Sequence, residues 1–128
     1  MENSNDTCKI KRWDQLKALL NNLSPQEAQT FLAEHPDCLI IDCRKPEEFA
    51  MVRMPKAHNI DYLAYDFWER VRTISPEQPI LVYCNTSRRS TRACTLMRNG
   101  GFSSAYNLGG GLQEWINELG DQALVRGN

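Results

Sequence analysis

Two short unbroken apolar runs, Leu39-Ile40-Ile41 and Ile80-Leu81-Val82-Tyr83, constrain this chain more than any other feature. A strand with one face in water alternates apolar and polar residues. A run that is apolar at every position is buried on both faces, as strands are inside a parallel sheet covered by helices. The surrounding sequence supplies the helices. Ser24-Pro25-Gln26-Glu27 combines a capping serine, a proline suited to the first helical position and a glutamate that completes a capping box, so a helix is expected to run to about Glu34 and stop before Pro36. Lys45-Pro46-Glu47-Glu48-Phe49 opens a short helix. Leu63, Phe67, Val71 and Ile74 recur at helical spacing, and residues 90–99 predict a helix with Ala93, Leu96 and Met97 inward, closed by Gly100-Gly101. Residues 57–60 and 105–108 read as further strands, and Leu112, Trp115, Ile116 and Leu119 share one face of a last helix. Strands alternating with helices in this way define an α/β fold with a mainly parallel sheet.

Ahead of this pattern, Trp13, Leu16, Leu19, Leu20 and Leu23 form an apolar stripe that predicts an extra amphipathic helix at about 13–22. The 128 residues are enough for one domain with a core of its own and too few for two. With 41% hydrophobic and 24% charged residues the chain has the composition of an ordinary globular protein, and its net charge of −1 gives no electrostatic reason to expect nucleic acid or an acidic membrane as a partner. No apolar stretch reaches the ~18 residues of a membrane span. The first residues, MENSNDTCKIKRW, lack the apolar run of a secretory signal, so a cytoplasmic protein is expected. Five cysteines at irregular spacing, an odd number, argue against a disulfide framework, and with only His35 and His58 beside them no metal site and no cofactor are expected.

The chemistry concentrates in Cys84-Asn85-Thr86-Ser87-Arg88-Arg89. The Ile80–Tyr83 strand delivers Cys84 to the carboxyl edge of the sheet, where open α/β folds place their sites, and Ser90 opens the next helix. A cysteine there meets unpaired backbone N–H groups and the positive end of the helix dipole, conditions under which thiols ionise with pKa values of roughly 3.5–7.5. Arg88 and Arg89 add two fixed positive charges, making a nucleophilic thiolate in an anion-binding cradle. The competing reading is a structural cysteine beside two solvated arginines, but a strand end followed by polar residues is not a core position. Cys43 and Cys94 read first as small core hydrophobes, with resolution of an oxidised or persulfidated Cys84 as the alternative. Gly109-Gly110-Gly111 reads as a turn into the last helix, not as a dinucleotide fingerprint.

Four segments, in order, resemble the rhodanese family. Leu39-Ile-Ile-Asp-Cys-Arg-Lys-Pro-Glu-Glu-Phe49 is similar to its LIDVRxPEEF element, and Arg53-Met-Pro-Lys-Ala-His-Asn-Ile60 to its GHIPGAxNI. Val82-Tyr-Cys-Asn-Thr-Ser-Arg-Arg-Ser90 resembles its active loop, often VYCxxGxRS, and Gly101-Phe102, Asn107-Leu108 and Gly110-Gly-Leu-Gln-Glu-Trp115 its closing pattern. On this basis residues 24–120 are the rhodanese domain, 1–23 a tail with the extra helix and 121–128 a C-terminal tail.

The resemblance implies an α/β rhodanese-like fold, a central mainly parallel sheet of about five strands flanked by helices with the extra N-terminal helix added, and the activity of a sulfurtransferase. Cys84 would be the catalytic nucleophile, taking sulfur from a small anionic donor such as thiosulfate as a persulfide and passing it to cyanide, a thiol or a protein acceptor. Asn85, Thr86, Ser87, Arg88 and Arg89 would bind the donor and hold the persulfide. Asp42 and Arg44 would support the site, Arg44 by pairing with Glu47 or Glu48, and a homodimer is compatible with the family. Two relatives of the family compete: a cysteine phosphatase or arsenate reductase, and a non-enzymatic module that keeps only the fold. In the family, six-residue C-x4-R loops accompany sulfur transfer and seven-residue C-x5-R loops take the larger oxyanions; here Arg89 ends the shorter form. Ser87 stands where many members carry glycine, and Arg53 where many carry histidine.

Overall fold

The computed structural model describes residues 21–127. The chain enters through strand β1 (Asn21–Leu23) and continues as helix α1 (Pro25–Glu34), β2 (Leu39–Asp42), α2 (Pro46–Met51), β3 (Val52–Arg53) and β4 (Ala57–Asn59). It then forms α3 (Phe67–Val71), β5 (Ile80–Tyr83), α4 (Arg88–Asn99), β6 (Ala105–Leu108), α5 (Gly111–Leu119) and β7 (Val125–Arg126). Five strands make one parallel sheet in the order β1-β6-β5-β2-β4, and β3 pairs antiparallel with β7 in a small second sheet. The α/β architecture expected from the sequence is present as a central parallel sheet of five strands flanked by helices.

The local signals explain most of this. Ser24 Oγ accepts from the Glu27 amide at 3.1 Å while Glu27 Oε1 accepts from the Ser24 amide at 2.8 Å, closing the capping box that starts α1. The two apolar runs became β2 and β5 at the centre of the sheet, each feeding both cores. Ile41, Ile80 and Val82 face α3 and α4 together with Phe67, Val71, Ala93, Cys94 and Met97. Ile40, Leu81 and Tyr83 point the other way, against α1 and α5 through Ala28, Leu112 and Trp115.

Four parts of the chain depart from the sequence reading. Most of the extra helix expected at 13–22 lies outside the described residues, but Asn21 and Asn22 belong to β1, a strand. They pair with Tyr106 and Asn107 of β6, and the Asn107 side chain donates to Asn22 Oδ1 at 2.8 Å. An otherwise open sheet edge outweighs the weak helix preference of two asparagines. The helix expected from Leu63 to Ile74 shrinks to α3, because the Asp61 carboxylate holds the Leu63 amide in a turn at 2.9 Å and leaves Leu63 61% exposed. In α4, Ala93 and Met97 face inward as expected but Leu96 is exposed, lying about 110° around the helix from the stripe of Ser90, Ala93, Cys94 and Met97. In the stretch read as a C-terminal tail, Leu124 is buried and β7 is pinned by Arg53, whose Nη1 donates to the Gly127 carbonyl at 2.9 Å.

Candidate functional site

The strand order creates the site. From β2 the chain crosses outward to β4, and from β5 it crosses the opposite way to β6, so the crevice beyond the carboxyl ends of β2 and β5 is a topological switch point. Cys43 follows β2 and Cys84 follows β5. After Cys84 the backbone turns sharply: Ser87 takes the left-handed conformation (φ 74°, ψ 5°) and α4 begins at Arg88, two residues earlier than the sequence reading placed it. The Ser87 carbonyl then receives the Thr91 hydroxyl at 2.6 Å and the Thr91 amide at 3.0 Å, which fixes the turn against the first turn of α4.

A second helix holds the loop from the far side. The first amides of α5 have no partners within their own helix, and those of Leu112 and Gln113 donate to the carbonyls of Cys84 and Asn85 at 2.8 and 3.0 Å. This approach requires glycine at 111: φ is 68°, and a β-carbon there would lie 2.4 Å from the Asn85 oxygen and 2.7 Å from that of Cys84. The cysteine loop is therefore clamped between the N-termini of α4 and α5.

Cys84 is 1% exposed, and its surroundings favour the thiolate. Its pKa is lowered to about 5, first by a hydrogen bond from the Cys43 thiol; burial opposes this, and Ser90 (side chain and amide) and the Thr86 amide reinforce it. Ser90 Oγ and Ser90 N both lie 3.4 Å from the sulfur. The same contact, together with burial, pushes the Cys43 thiol well above its ordinary range. Cys94 is raised to about 12, mainly by burial, and is directed at the Tyr106 carbonyl at 3.7 Å.

Around this centre lies a polar chain that runs through both arginine pairs. Arg44, 2% exposed, donates through Nε and Nη2 to the buried Asp42 carboxylate at 2.7–3.1 Å and through Nη2 to the Val52 carbonyl at 2.5 Å. Its Nη1 donates to Asn85 Oδ1 at 3.1 Å. Asn85 Nδ2 passes the connection on to Glu48 Oε2 at 2.8 Å, and Glu48 in turn pairs with Arg89 at 2.9 and 3.2 Å. Arg89 holds the Glu48 carboxyl down near 2.

The residues expected at the site are thus together, but two roles have moved. Arg44 pairs with Asp42, not with Glu47 or Glu48, because the short Asp42-Cys43-Arg44 corner folds the guanidinium back over its own carboxylate. The partner of Glu48 is Arg89, which braces the loop, while Arg88 is exposed and has no ion pair among the described residues. Thr86 is exposed and contributes through its amide; Asn85 contributes through its side chain. Three participants were not anticipated in these roles. Glu48 and Ser90 carried no signal beyond their place in matched motifs. The role of Cys43 follows from register: it is the residue after β2, as Cys84 is after β5.

The structure thus sets a buried cysteine of lowered pKa in a helix-bounded loop at the switch point of a parallel sheet, where the sequence resemblance puts its reactive residue. Comparison with known proteins agrees: the Rhodanese-like domain model matches residues 24–118, and the chain belongs to that family. It is 27% identical over 97 residues to a sulfurtransferase of Allochromatium vinosum, spanning 76% of this chain and 89% of that one. A thiosulfate sulfurtransferase of Pseudomonas putida is 28% identical over 92 residues, spanning 71% of this chain and 81% of its own length. Among solved structures, the polysulfide-sulfur transferase homodimer of Wolinella succinogenes superposes with a TM-score of 0.71 at 30% identity, covering 88% of this chain and 85% of that one.

Proposed function

We propose that the protein is a sulfurtransferase that carries sulfane sulfur on Cys84 from a small anionic donor of the thiosulfate type to cyanide or a thiol. The observation that carries the reading is the placement of the Cys84 sulfur, 3.4 Å from both the Ser90 hydroxyl and the Ser90 amide, with its pKa lowered to about 5 by Cys43, Ser90 and Thr86. Such a sulfur is ionised at neutral pH and is ready to attack. The thiolate attacks the outer sulfur of the donor; a Cys84 sulfur–sulfur bond forms, the donor's sulfur–sulfur bond breaks, and sulfite leaves with the electron pair. An acceptor then attacks the outer sulfur of the persulfide and restores the thiolate. Arg88, exposed and without an ion pair among the described residues, is the charge that attracts the anion; Arg89, Glu48 and Asn85 keep the loop in shape. The names of the A. vinosum and P. putida relatives support the reaction class and the donor.

The deciding experiment is intact-mass spectrometry after exposure to thiosulfate. The wild-type chain should gain one sulfur atom, lose it on addition of cyanide with release of thiocyanate, and gain none as Cys84→Ser.

A further inference from the structure

Two cysteines stand side by side at the switch point. Asp42 of β2 lies opposite Tyr83 of β5 in parallel register. The Cys43 amide donates to the Tyr83 carbonyl at 3.0 Å, which extends the pairing by one residue and sets Cys43 beside Cys84. Both side chains point into the same buried cluster as Ile41 and Val82, Cys43 with no exposed surface at all. Paired strands lie about 4.8 Å apart, which falls within the roughly 4.4–6.8 Å Cα separation of cysteines that form disulfides. Cys94 belongs to the same cluster but sits on α4 and turns to the Tyr106 carbonyl.

We propose that Cys43 resolves the Cys84 persulfide from within the protein, giving the chain a second activity: release of hydrosulfide with formation of a Cys43–Cys84 disulfide. The inference rests on the persulfide proposed above. The Cys43 sulfur attacks the inner sulfur, the one that belongs to Cys84. A bond forms between the two cysteine sulfurs, the bond to the outer sulfur breaks, and the outer sulfur departs with the electron pair and the Cys43 thiol proton. Cys43 is oxidised and the outer sulfur is reduced, so no external oxidant takes part. The product is reset by a dithiol through exchange, which returns both thiols. Burial decides between the two outcomes. A solvent acceptor approaches the outer sulfur, whereas the inner sulfur has a buried thiol already beside it. Transfer prevails while acceptor is abundant; when it is scarce, the loaded protein empties itself as sulfide and locks.

The test loads the full-length, fully reduced chain with thiosulfate under anaerobic conditions, with no acceptor and no reductant, and follows intact mass and free sulfide together. The wild type should gain one sulfur, then change to a species lacking two hydrogens as one equivalent of sulfide appears, with peptide mapping placing the disulfide between Cys43 and Cys84. Whatever fraction of Cys43→Ser takes up sulfur should keep it and release no sulfide, while Cys94→Ser follows the wild type. A wild-type persulfide as long-lived as that of Cys43→Ser, or a disulfide mapped to Cys94 or Cys38, would overturn the proposal even though sulfur was taken up. The mapping in the wild type stands without any variant. Failure of the wild type to gain sulfur at all is a different result: it removes the sulfurtransferase reading, and this inference with it.

Discussion

Glu48 grips Arg89 with both carboxylate oxygens, at 2.9 and 3.2 Å, and so ties up within the protein one of the two arginines that the sequence reading assigned to an anionic donor. The pair joins α2 to the first turn of α4 across the cysteine loop. Arg88, next in sequence but on the exposed side, keeps its charge free of ion pairs among the described residues.

The two arginines should therefore fail differently. Arg88→Ala is expected to raise KM for thiosulfate several-fold with little change in Tm, an effect that fades as salt screens the charge. Arg89→Ala should lower kcat and also stability, by about 1 kcal/mol, since it frees Glu48 and loosens Asn85. Steady-state kinetics at two ionic strengths, beside thermal melts, separates them; the same kinetic defect in both variants would mean that Arg89 also meets the donor.

Much of this was legible in the sequence, and the reason is physical. An apolar run buried on both faces, a capping box and a glycine helix stop are local signals, and β2, β5, α1 and the end of α4 followed them. The partners of Arg44, Glu48 and Cys43 are not local. Arg44 and Asn85 are separated by most of two βα units, and their contact exists only because β2 and β5 are neighbours in the sheet. The resemblance brought these residues to one region, but hydrogen-bond pairing within it depended on how a three-residue corner folds. Leu96 and Leu63 show the other limit: a periodic apolar residue is not thereby a buried one.

Ser87 is predicted to be a strained choice. A non-glycine residue at φ 74° costs about 1–2 kcal/mol, part of which glycine returns as greater freedom of the unfolded chain. Ser87→Gly should raise stability by about 0.5–1 kcal/mol with sulfur transfer retained, whereas Ser87→Val, β-branched, should lower both. Denaturant melts of the two variants decide this; a destabilised glycine variant would show that the Ser87 side chain contributes more than its backbone costs.

Gly111 admits no such exchange. Alanine would set its β-carbon against the Asn85 and Cys84 carbonyls, where backbone and not a flexible side chain must yield. Gly111→Ala should cost more than about 2 kcal/mol and should depress sulfur loading in whatever protein still folds. Gly127→Ala, also at positive φ but with open space around it, is the control and should cost far less. Equal melting points for the Gly111 variant and the wild type would contradict the clamp between α5 and the loop.

The pH dependence follows from Cys84. Alkylation of its sulfur by iodoacetamide should report a midpoint of about 5. The serine hydroxyl at 3.4 Å is one of several donors. Its removal in Ser90→Ala, at ~1.5–3 kcal/mol for a hydrogen bond to a charged group and ~1.4 kcal/mol per pH unit, should raise the midpoint by about 1–2 units. Because the folded pKa lies below the ordinary thiol value, the thiolate's contribution to stability is complete above about 9. It falls as pH drops through the interval and is gone below about 5. Wild type should thus gain stability over Cys84→Ser as pH rises from about 5 towards 9. Parallel curves for the two would show that the sulfur is not ionised in the fold.

The last prediction concerns the rival reading, hydrolysis of a phosphate ester by the same cysteine. A phosphatase loop surrounds a tetrahedral group with backbone amides and closes it with an arginine one position beyond Arg89. Here that position is Ser90, which is fully buried and directs both its amide and its hydroxyl at the sulfur itself, 3.4 Å away. Ser87 has already turned the chain into α4, and the guanidinium nearest the closing position, Arg89, is bound to Glu48, so the loop lacks the span to surround a phosphoryl group and the arginine to close over it. A reacting group displaced by about an ångström can lose ~10²-fold in rate, so one residue of loop is enough to separate the two chemistries. A preparation that forms thiocyanate from thiosulfate and cyanide should show no measurable turnover of an aryl phosphate. Inserting one glycine between Ser87 and Arg88 should abolish sulfur loading before it creates any phosphatase. Efficient phosphate release that disappears in Cys84→Ser, with no sulfur gained from thiosulfate, would instead make the protein a phosphatase on a rhodanese-like fold.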